Sequence, residues 1–221
     1  DEIDDSIKPY ELELNIIYED DDILIINKPQ GLVVHPGDGH QNDTLVNALI
    51  YNKKELSTVN GLNRVGIVHR IDKDTSGLLL VCKNDYSHNF IAEQLKDHTM
   101  HREYIALVTG VIANNKGKII APLARSKENR MKYEVNPVEG KEAITHFEVI
   151  KRFEKYTLIK CRLETGRTHQ IRVHMDYIHH PIVGDPLYGH NNCALYNKGQ
   201  LLHAYKLTFI HPKTKKEMTF E

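Results

Sequence analysis

The sequence has no tryptophan and only three cysteines, Cys82, Cys161 and Cys193, which lie far apart. An odd number of widely spaced cysteines argues against a disulfide framework, and no paired-cysteine pattern indicates a zinc site. Cys82 and Cys161 lie within apolar runs, so we expect buried, reduced thiols in a cytoplasmic protein. No apolar stretch approaches the about 18 residues of a membrane span, and the sequence does not open with the pattern of a signal peptide.

The 221 residues, 40% of them hydrophobic, are enough to bury a core in one domain or in two closely joined halves. The net charge of −1 hides an asymmetry. Residues 1–22 hold ten acids and one base, which leaves 20 acids against 28 bases, a net charge of +8, in residues 23–221. A basic body behind an acidic leader is consistent with a polyanionic partner, although lysine-rich surfaces also serve solubility alone.

Apolar periodicity predicts many strands and few helices. Helices are expected over residues 44–54 with Asp43 as cap, over 87–98 with Ser87 as cap, and over 168–178. The predicted strands cover residues 12–18, 23–27, 78–83, 100–109, 117–121, 131–135, 142–150, 157–163, 201–210 and 217–220. Without a βαβ rhythm, this content predicts an α+β fold with a mostly antiparallel sheet.

One stretch, residues 68–77 (Val-His-Arg-Ile-Asp-Lys-Asp-Thr-Ser-Gly), concentrates acids, bases and hydroxyls just before an apolar run. It predicts a loop anchored by a buried strand, where reactive side chains are often held. A plain turn is the alternative. An EF-hand is excluded because Lys83 stands where a bidentate Glu is needed. A magnesium-dependent phosphatase with an aspartyl nucleophile is a distant alternative, since His69 and Arg70 separate the first Asp from the preceding apolar residues.

Residues 69–80 resemble the active-site signature of RNA pseudouridine synthases of the RluA/RluD family. Further stretches resemble family motifs and follow in family order: residues 27–36, 102–108, 163–174, 180–189 and 202–204. The similarity extends from about residue 16 to residue 220, and its one small departure is Ile71, where Leu is usual. Several ordered matches are far more specific than one short motif. The resemblance implies the same α+β fold and an enzyme that isomerises uridine in RNA without a metal, redox cofactor or energy source.

The resemblance implies that Asp72 is the nucleophile, that Arg172 pairs with its carboxylate, and that Tyr104 stacks on the target uracil. A guanidinium beside a carboxylate favours its ionised form, and a phenol offers a flat apolar face with a polar tip that can take the C5 proton. By position alone Asp74 could serve in place of Asp72. Without the family, Arg172 would be a solvated helix residue and Tyr104 an ordinary strand aromatic.

Contacts to RNA are expected from several other side chains. The resemblance implies that Arg70 fills the gap left by the flipped uridine, with a phosphate contact or a salt bridge to Asp74 as the alternatives. Ile171 is expected at the base edge, or in a plain core role. The remaining predicted RNA-binding residues are cationic or hydrogen-bonding: Arg125, Lys127, Arg130, Lys132, Arg167 and His169. For the first four, a solvated hairpin is the alternative.

We therefore predict a catalytic domain over residues 12–221 and a linker over residues 1–11, with an S4-type RNA-binding domain absent in front of it. The expected substrate is large-subunit ribosomal RNA. Transfer RNA, and a non-catalytic role in RNA binding or ribosome assembly, are the alternatives. We expect no metal, no small-molecule cofactor and no membrane partner. We expect the protein to be a monomer.

Overall fold

The computed structural model describes residues 6–52, 54–190 and 195–221. The chain divides into two compact units, the first formed by Asp1–Met100 with Thr208–Glu221 and the second by His101–Leu207. Strands and helices occur in both, and the paired strands for which a register is resolved run antiparallel. The predicted α+β class with a mostly antiparallel sheet is confirmed. No helix in the described ranges has the length and apolarity that a membrane crossing requires.

Three strands of the first unit run antiparallel in the order β1 (Ile16–Glu19), β2 (Ile23–Lys28) and β3 (Ser76–Cys82). Both β2 and β3 are almost continuously apolar and almost wholly buried, as expected for strands covered on both faces. Their register runs from Ile23 opposite Cys82 to Lys28 opposite Gly77. The last residue of β2 therefore lies beside the start of β3, where the predicted reactive loop ends.

Two helices of the first unit begin at caps other than the predicted ones. In α1 (Leu45–Tyr51) the N-cap is Thr44, which forms a capping box with Asn47. Asp43 instead pairs with His40 at 2.9 Å. The prediction of Asp43 as cap is therefore wrong, because its carboxylate is hydrogen-bonded to His40 and the cap position is one residue later, at Thr44.

In α2 (Asp85–Lys96) the N-cap is Asn84. Ser87 lies inside the first turn, where its backbone N–H donates to the Asn84 side chain at 2.9 Å. The prediction of Ser87 as cap is wrong by one turn, since Asn is as good a cap as Ser and comes first along the chain.

Much of the segment before β1 is bound to α1 and to the residue that follows it. The backbone N–H of Tyr10 donates to the carbonyl of Asn47, whose side chain donates to the carbonyl of Lys8, and Asn52 donates to the carbonyl of Leu12. The strand predicted over residues 12–18 starts only at Ile16, and Leu12 is bonded to Asn52 instead of to a neighbouring strand. The assignment of residues 1–11 as a linker stays a prediction.

The second unit contains a sheet with strand order β10-β4-β9-β8-β5. Its strands are β4 (His101–Thr109), β5 (Lys116–Ile120), β8 (Ile144–Arg152), β9 (Tyr156–Leu163) and β10 (Leu202–Ile210), whose last three residues belong to the first unit. Along β9, the residues at positions 157, 159 and 161 are buried and alternate with more exposed ones. This period of two matches the alternation from which the strand was predicted.

A separate hairpin and one helix complete the second unit. The hairpin pairs β6 (Leu123–Arg125), which the sequence analysis did not predict, with β7 (Tyr133–Val135). Helix α3 (Gln170–Tyr177) starts two residues later than predicted, because its N-cap His169 has a left-handed backbone with φ of 56°. The last strand, β11 (Glu217–Phe220), lies in the first unit and has the predicted bounds.

Both described cysteines are buried and reduced, as predicted; Cys193 lies outside the described residues. Burial raises the pKa of the Cys82 and Cys161 thiols to about 12. Neither thiol therefore ionises near neutral pH, which makes both poor nucleophiles.

Candidate active site

The loop of residues 69–77, hereafter the Asp72 loop, is tied to the strand that follows it. The backbone N–H of Leu80, in β3, donates to Nε2 of the buried His69 at 2.9 Å. Inside the loop, the N–H of Thr75 closes a turn on the carbonyl of Asp72 at 3.0 Å. The imidazole of His69 thus accepts the bond from the N–H of Leu80 that a backbone carbonyl would otherwise accept. This bond holds the first residue of the loop against β3.

The middle of the Asp72 loop is fixed by residues at and just after the end of β2. The carbonyl of Lys73 accepts from the backbone N–H of Gly31 and from Nζ of Lys28, each at 2.8 Å. The side chain of Gln30 donates to the carbonyl of Asp74 at 3.0 Å. Three hydrogen bonds therefore hold the carbonyls of Lys73 and Asp74, so the backbone that carries the two aspartates is fixed.

Lys28 is a fully buried cation that sequence analysis did not single out. Besides Lys73, its ammonium donates to the carbonyls of Pro29 at 2.9 Å and Leu32 at 2.8 Å. Burial lowers the pKa of Lys28 to about 8, and the negative charges of Asp74 and Asp72 limit the fall. A partly compensated positive charge therefore lies beneath the Asp72 loop.

The side chains of the Asp72 loop differ in exposure. Asp72 and Asp74 are half-buried, while Arg70 and Lys73 are exposed. Both carboxylates can therefore be reached by a substrate, and the exposed guanidinium of Arg70 fits a role in contacting RNA.

Tyr104 lies in β4, opposite Cys161 of β9. Tyr104 is 6% exposed, and its side chain lies on the same face of the strand as the buried Ala106 and Val108. The sheet thus supplies the rigid, apolar support that a stacking aromatic needs.

Helix α3 carries Ile171 and Arg172, and its start is fixed by the side chain of Gln170. That side chain accepts from the hydroxyl of Thr165 at 2.7 Å and from the N–H of Arg167 at 3.0 Å. It also donates to the carbonyl of Ile144 at 3.0 Å. This network explains how a turn with a left-handed residue leads into the helix at a defined angle.

Arg172 is 4% exposed, which contradicts the solvated alternative. Its guanidinium donates from Nε to Oδ2 of Asp185 at 2.7 Å and from Nη2 to Oδ1 at 2.9 Å. Asp185 lies outside the residues predicted for the site. Its signal in the sequence was its place in the motif of residues 180–189, between Gly184 and Gly189. The pairing of Arg172 with Asp72 stays a prediction.

Tyr188 connects several predicted site residues within the second unit. Its hydroxyl accepts from the backbone N–H of Tyr133 and bonds Nδ1 of His169, each at 2.8 Å. Its ring lies 5.1 Å from the guanidinium carbon of Arg172 and 5.7 Å from Nζ of Lys132. Arg172, His169 and the β6–β7 hairpin therefore meet on one aromatic ring.

The predicted basic cluster lies on the β6–β7 hairpin, and three of its four members have partners within the second unit. Arg125 stacks over Tyr133 at 5.5 Å, and Lys127 pairs with Glu139 at 2.9 Å. Arg130 lies exposed at the tip. The hairpin is thus a folded, cationic projection, whose contact with RNA stays a prediction.

The predicted residues divide between the two units. Asp72 and Arg70 lie in the first unit. The others lie in the second: Tyr104, Arg125, Lys127, Arg130, Lys132, Arg167, His169, Ile171 and Arg172. Among these, Arg167 is exposed and donates from Nε to the carbonyl of Glu142 at 2.8 Å, and Ile171 is 4% exposed.

Among the described residues, one group has the composition of a metal site: Asp20, Asp22 and His211. Its hydrogen bonds argue against that use. Nδ1 of His211 accepts the N–H groups of Lys213 at 3.1 Å and Thr214 at 3.2 Å, so the ring proton lies on Nε2. That Nε2–H donates to Asp20 at 2.7 Å. Both ring nitrogens are occupied, and the group holds two turns together.

Residues 22–177 match the family model described as RNA pseudouridylate synthase. The chain is 52% identical to an uncharacterized RNA pseudouridine synthase, YlyB, of Bacillus subtilis over 95% of this chain and 69% of the relative. It is 48% identical to the ribosomal large subunit pseudouridine synthase D of Zymomonas mobilis over 97% of this chain and 70% of the relative.

Among solved structures, the human RNA pseudouridylate synthase domain containing 1 protein superposes with a TM-score of 0.76 at 25% identity. The superposition covers 95% of this chain and 83% of the human one. The family match includes the Asp72 loop, β4 and all of α3. On sequence and fold together, this chain belongs to the RNA pseudouridylate synthase family, and it is an RNA pseudouridine synthase.

Proposed function

We propose that the protein converts uridines of large-subunit ribosomal RNA to pseudouridine, with Asp72 as the nucleophile. The observation that carries the residue assignment is the rigid support of the Asp72 loop by Lys28, Gln30 and His69. The substrate assignment rests on relatives 44–48% identical that are named ribosomal large subunit pseudouridine synthase D.

The reaction is an isomerisation and needs few components. The bond from ribose C1′ to uracil N1 breaks, the base turns, and C1′ joins C5. The proton on C5 then leaves, and N1 gains one, so the formula is unchanged. Asp72 begins this sequence in one of two ways. It attacks C1′ or adds to C6 as a covalent catalyst and is released again when the new C1′–C5 bond is complete, or it takes a ribose proton as a base in an elimination that is later reversed.

The other residues hold the uridine and its charge. Tyr104 stacks on the uracil, and its hydroxyl takes the C5 proton. Arg172 orients the Asp72 carboxylate through its planar fork, and Ile171 contacts the base edge. Their burial within the second unit, at 6%, 4% and 4% exposure, supports rigid positions for all three.

The target base must leave its stack before Asp72 can reach it, which costs a few kcal/mol. Arg70 occupies the gap, since a guanidinium can stack on bases and still contact phosphate. The phosphate backbone is contacted by Arg130 at the tip of the β6–β7 hairpin, with Arg125, Lys127, Lys132, Arg167 and His169 around it. Such contacts supply affinity rather than base specificity.

The test is incubation of the protein with unmodified large-subunit ribosomal RNA and with unmodified transfer RNA, followed by chemical mapping of pseudouridine. We expect product at defined positions of the ribosomal RNA. Product in transfer RNA alone would replace the proposed substrate. Binding without product in either RNA would favour a non-catalytic role.

The matched pair of variants is Asp72→Asn and Asp74→Asn. Both remove a half-buried carboxylate from the same loop. We expect Asp72→Asn to bind RNA with unchanged affinity and to form no product, because an amide is a poor nucleophile. Asp74→Asn should retain most of its turnover. Wild-type turnover in Asp72→Asn would overturn the assignment of the nucleophile.

A further inference from the structure

The motif of residues 180–189 contains a buried acid that the proposed function does not use. The side chain of Asp185 is completely inaccessible to solvent. Burying a carboxylate is costly unless it is paired and hydrogen-bonded. The groups that surround Asp185 therefore indicate which side chain it positions.

Both oxygens of Asp185 are engaged. Oδ2 accepts from Nε of Arg172 at 2.7 Å. Oδ1 accepts from Nη2 of Arg172 at 2.9 Å, and from the backbone N–H groups of Leu187 at 2.9 Å and Tyr188 at 3.1 Å. Two parallel bonds to one guanidinium fix its plane as well as its place.

The turn that presents Asp185 is itself constrained by glycines on either side. Gly184 has a φ of +80°, and a Cβ there would lie 2.3 Å from the carbonyl oxygen of Gly199. A Cβ on Gly189 would lie 2.3 Å from the carbonyl oxygen of Asp185. Only glycine fits both positions, because the turn that carries the carboxylate packs closely against the backbone of Gly199 and against its own carbonyl at Asp185.

The same turn supplies a second contact to the guanidinium. The ring of Tyr188 lies 5.1 Å from the guanidinium carbon of Arg172, within the range of a cation–π contact. The Tyr188 hydroxyl is in turn bonded to the backbone of Tyr133 and to His169. The turn therefore holds the guanidinium of Arg172 in two ways: the carboxylate of Asp185 binds one edge, and the ring of Tyr188 makes a cation–π contact.

We propose that Asp185 is a positioning residue for the pseudouridine synthase reaction, acting through Arg172. This inference rests on the proposed role of Arg172 as the group that orients the Asp72 carboxylate. Asp185 commits Nε and Nη2 of the guanidinium and so determines the direction in which the rest of the fork points.

A purely structural ion pair would predict different results. Loss of a stabilising pair lowers the melting temperature but leaves the chemical step of the folded protein intact. Loss of a positioning residue slows the chemical step while RNA affinity holds, because a misplacement of about 1 Å near the reacting atoms costs up to about 100-fold in rate.

The experiment is a double-mutant cycle on single-turnover rates with ribosomal RNA, using Asp185→Asn, Arg172→Ala and the double variant. We expect Asp185→Asn to lower the rate about 10–100-fold and to change the RNA dissociation constant less than about threefold. The double variant should be no slower than Arg172→Ala, since two residues that act through one interaction are not additive. Asp176→Asn, on the same helix, is the matched control and should retain its rate.

Two further variants keep the test decisive if Asp185→Asn does not fold. Asp185→Glu retains the charge but displaces the carboxylate, and Arg172→Lys retains the charge but lacks the fork. Each should be slow at the chemical step. A wild-type rate in folded Asp185→Asn or Asp185→Glu, or in Arg172→Lys, would overturn the inference, as would additive losses in the cycle.

The outcomes also separate this inference from the function on which it rests. A wild-type rate in Arg172→Ala would refute the orienting role of Arg172 itself. A slow Arg172→Ala beside a fast Asp185→Asn would refute only the role of Asp185.

Discussion

At the scale of single residues, the most unusual feature is the ammonium of Lys28 under the Asp72 loop. A lysine with no solvent exposure is rare, because burial penalises the charged form. Here three backbone carbonyls accept hydrogen bonds from the ammonium, and one of these carbonyls belongs to the Asp72 loop. Lys28 thus links β2, the segment after it and the loop through one atom.

We expect Lys28→Met to destabilise the protein by about 2–4 kcal/mol, since a buried acceptor left without a donor costs about 1–3 kcal/mol. Urea denaturation measures the change. Lys73→Met is the matched control, since the Lys73 side chain is exposed, and it should cost less than about 0.5 kcal/mol. Equal effects from the two variants would contradict a structural role for the buried ammonium.

The pKa of Lys28 adds a dependence on pH. Its pKa is about 8 in the folded protein and 10.5 in the unfolded chain. Between these values the unfolded chain holds a proton that the folded protein has released, so this residue makes stability rise with pH. The stability difference between the wild type and Lys28→Met should therefore widen above about pH 8. A difference that stays constant would contradict the low pKa.

At the scale of elements, the Asp72 loop is held rigidly by strand β3. Strand β3 is buried along its length, and the backbone of Leu80 within it is bonded to the side chain of His69 in the loop. A strand anchored in the core transmits its rigidity to the loop through that contact.

We expect His69→Ala to cost about 1–3 kcal/mol, because the buried N–H of Leu80 would lose its acceptor. The looser loop should also lower the single-turnover rate about 10-fold. His69→Gln, whose side-chain oxygen can accept near the position of Nε2, should recover much of both losses. Unfolding curves and rates for the two variants test this, and a His69→Ala protein as stable and fast as the wild type would refute the role.

At the scale of the whole molecule, burial affects the titration of histidines in both units. Burial lowers the pKa of His35 and His88 in the first unit and of His174 and His203 in the second. For His174, burial is the cause of the lowered pKa, and a hydrogen bond opposes it. Its Nε2–H donates to the carbonyl of Ala121 at 2.9 Å, which limits the fall in its pKa, and its Nδ1 bonds the hydroxyl of Thr145 at 2.8 Å.

These histidines predict an early loss of stability in acid. Each has a folded pKa below its unfolded value of 6.5, so the unfolded chain binds more protons as the pH falls below about 6.5. Stability present at neutral pH is therefore lost from about pH 6.5 downward, before the carboxylates titrate.

The measurement is the free energy of unfolding at several pH values between about 7.5 and 5.5 for the wild type and His174→Gln. One histidine contributes at most about 1.4 kcal/mol per pH unit. The variant should show a shallower fall than the wild type. Parallel curves would show that His174 does not contribute to the acid sensitivity.

Some features were determined by the sequence alone. Alternation with a period of two identified β9, and β11 was predicted at its observed bounds, because a strand's burial pattern follows directly from side-chain direction. The motif of residues 69–80 identified the family, since a catalytic loop constrains many residues over a short stretch. Helix caps were predicted less well, because neighbouring polar side chains compete for the cap position. The caps are Thr44 and Asn84, not the predicted Asp43 and Ser87.

Only the tertiary structure revealed the partners of the buried charges. Nothing in the local sequence says that Lys28 bonds the carbonyl of Lys73, 45 residues away, or that Asp185 holds Arg172 across 13 residues. Local propensity and periodicity report which face of an element is apolar. The neighbours of a buried charge depend instead on how distant segments pack, and the cost of leaving such a charge unpaired makes those contacts specific.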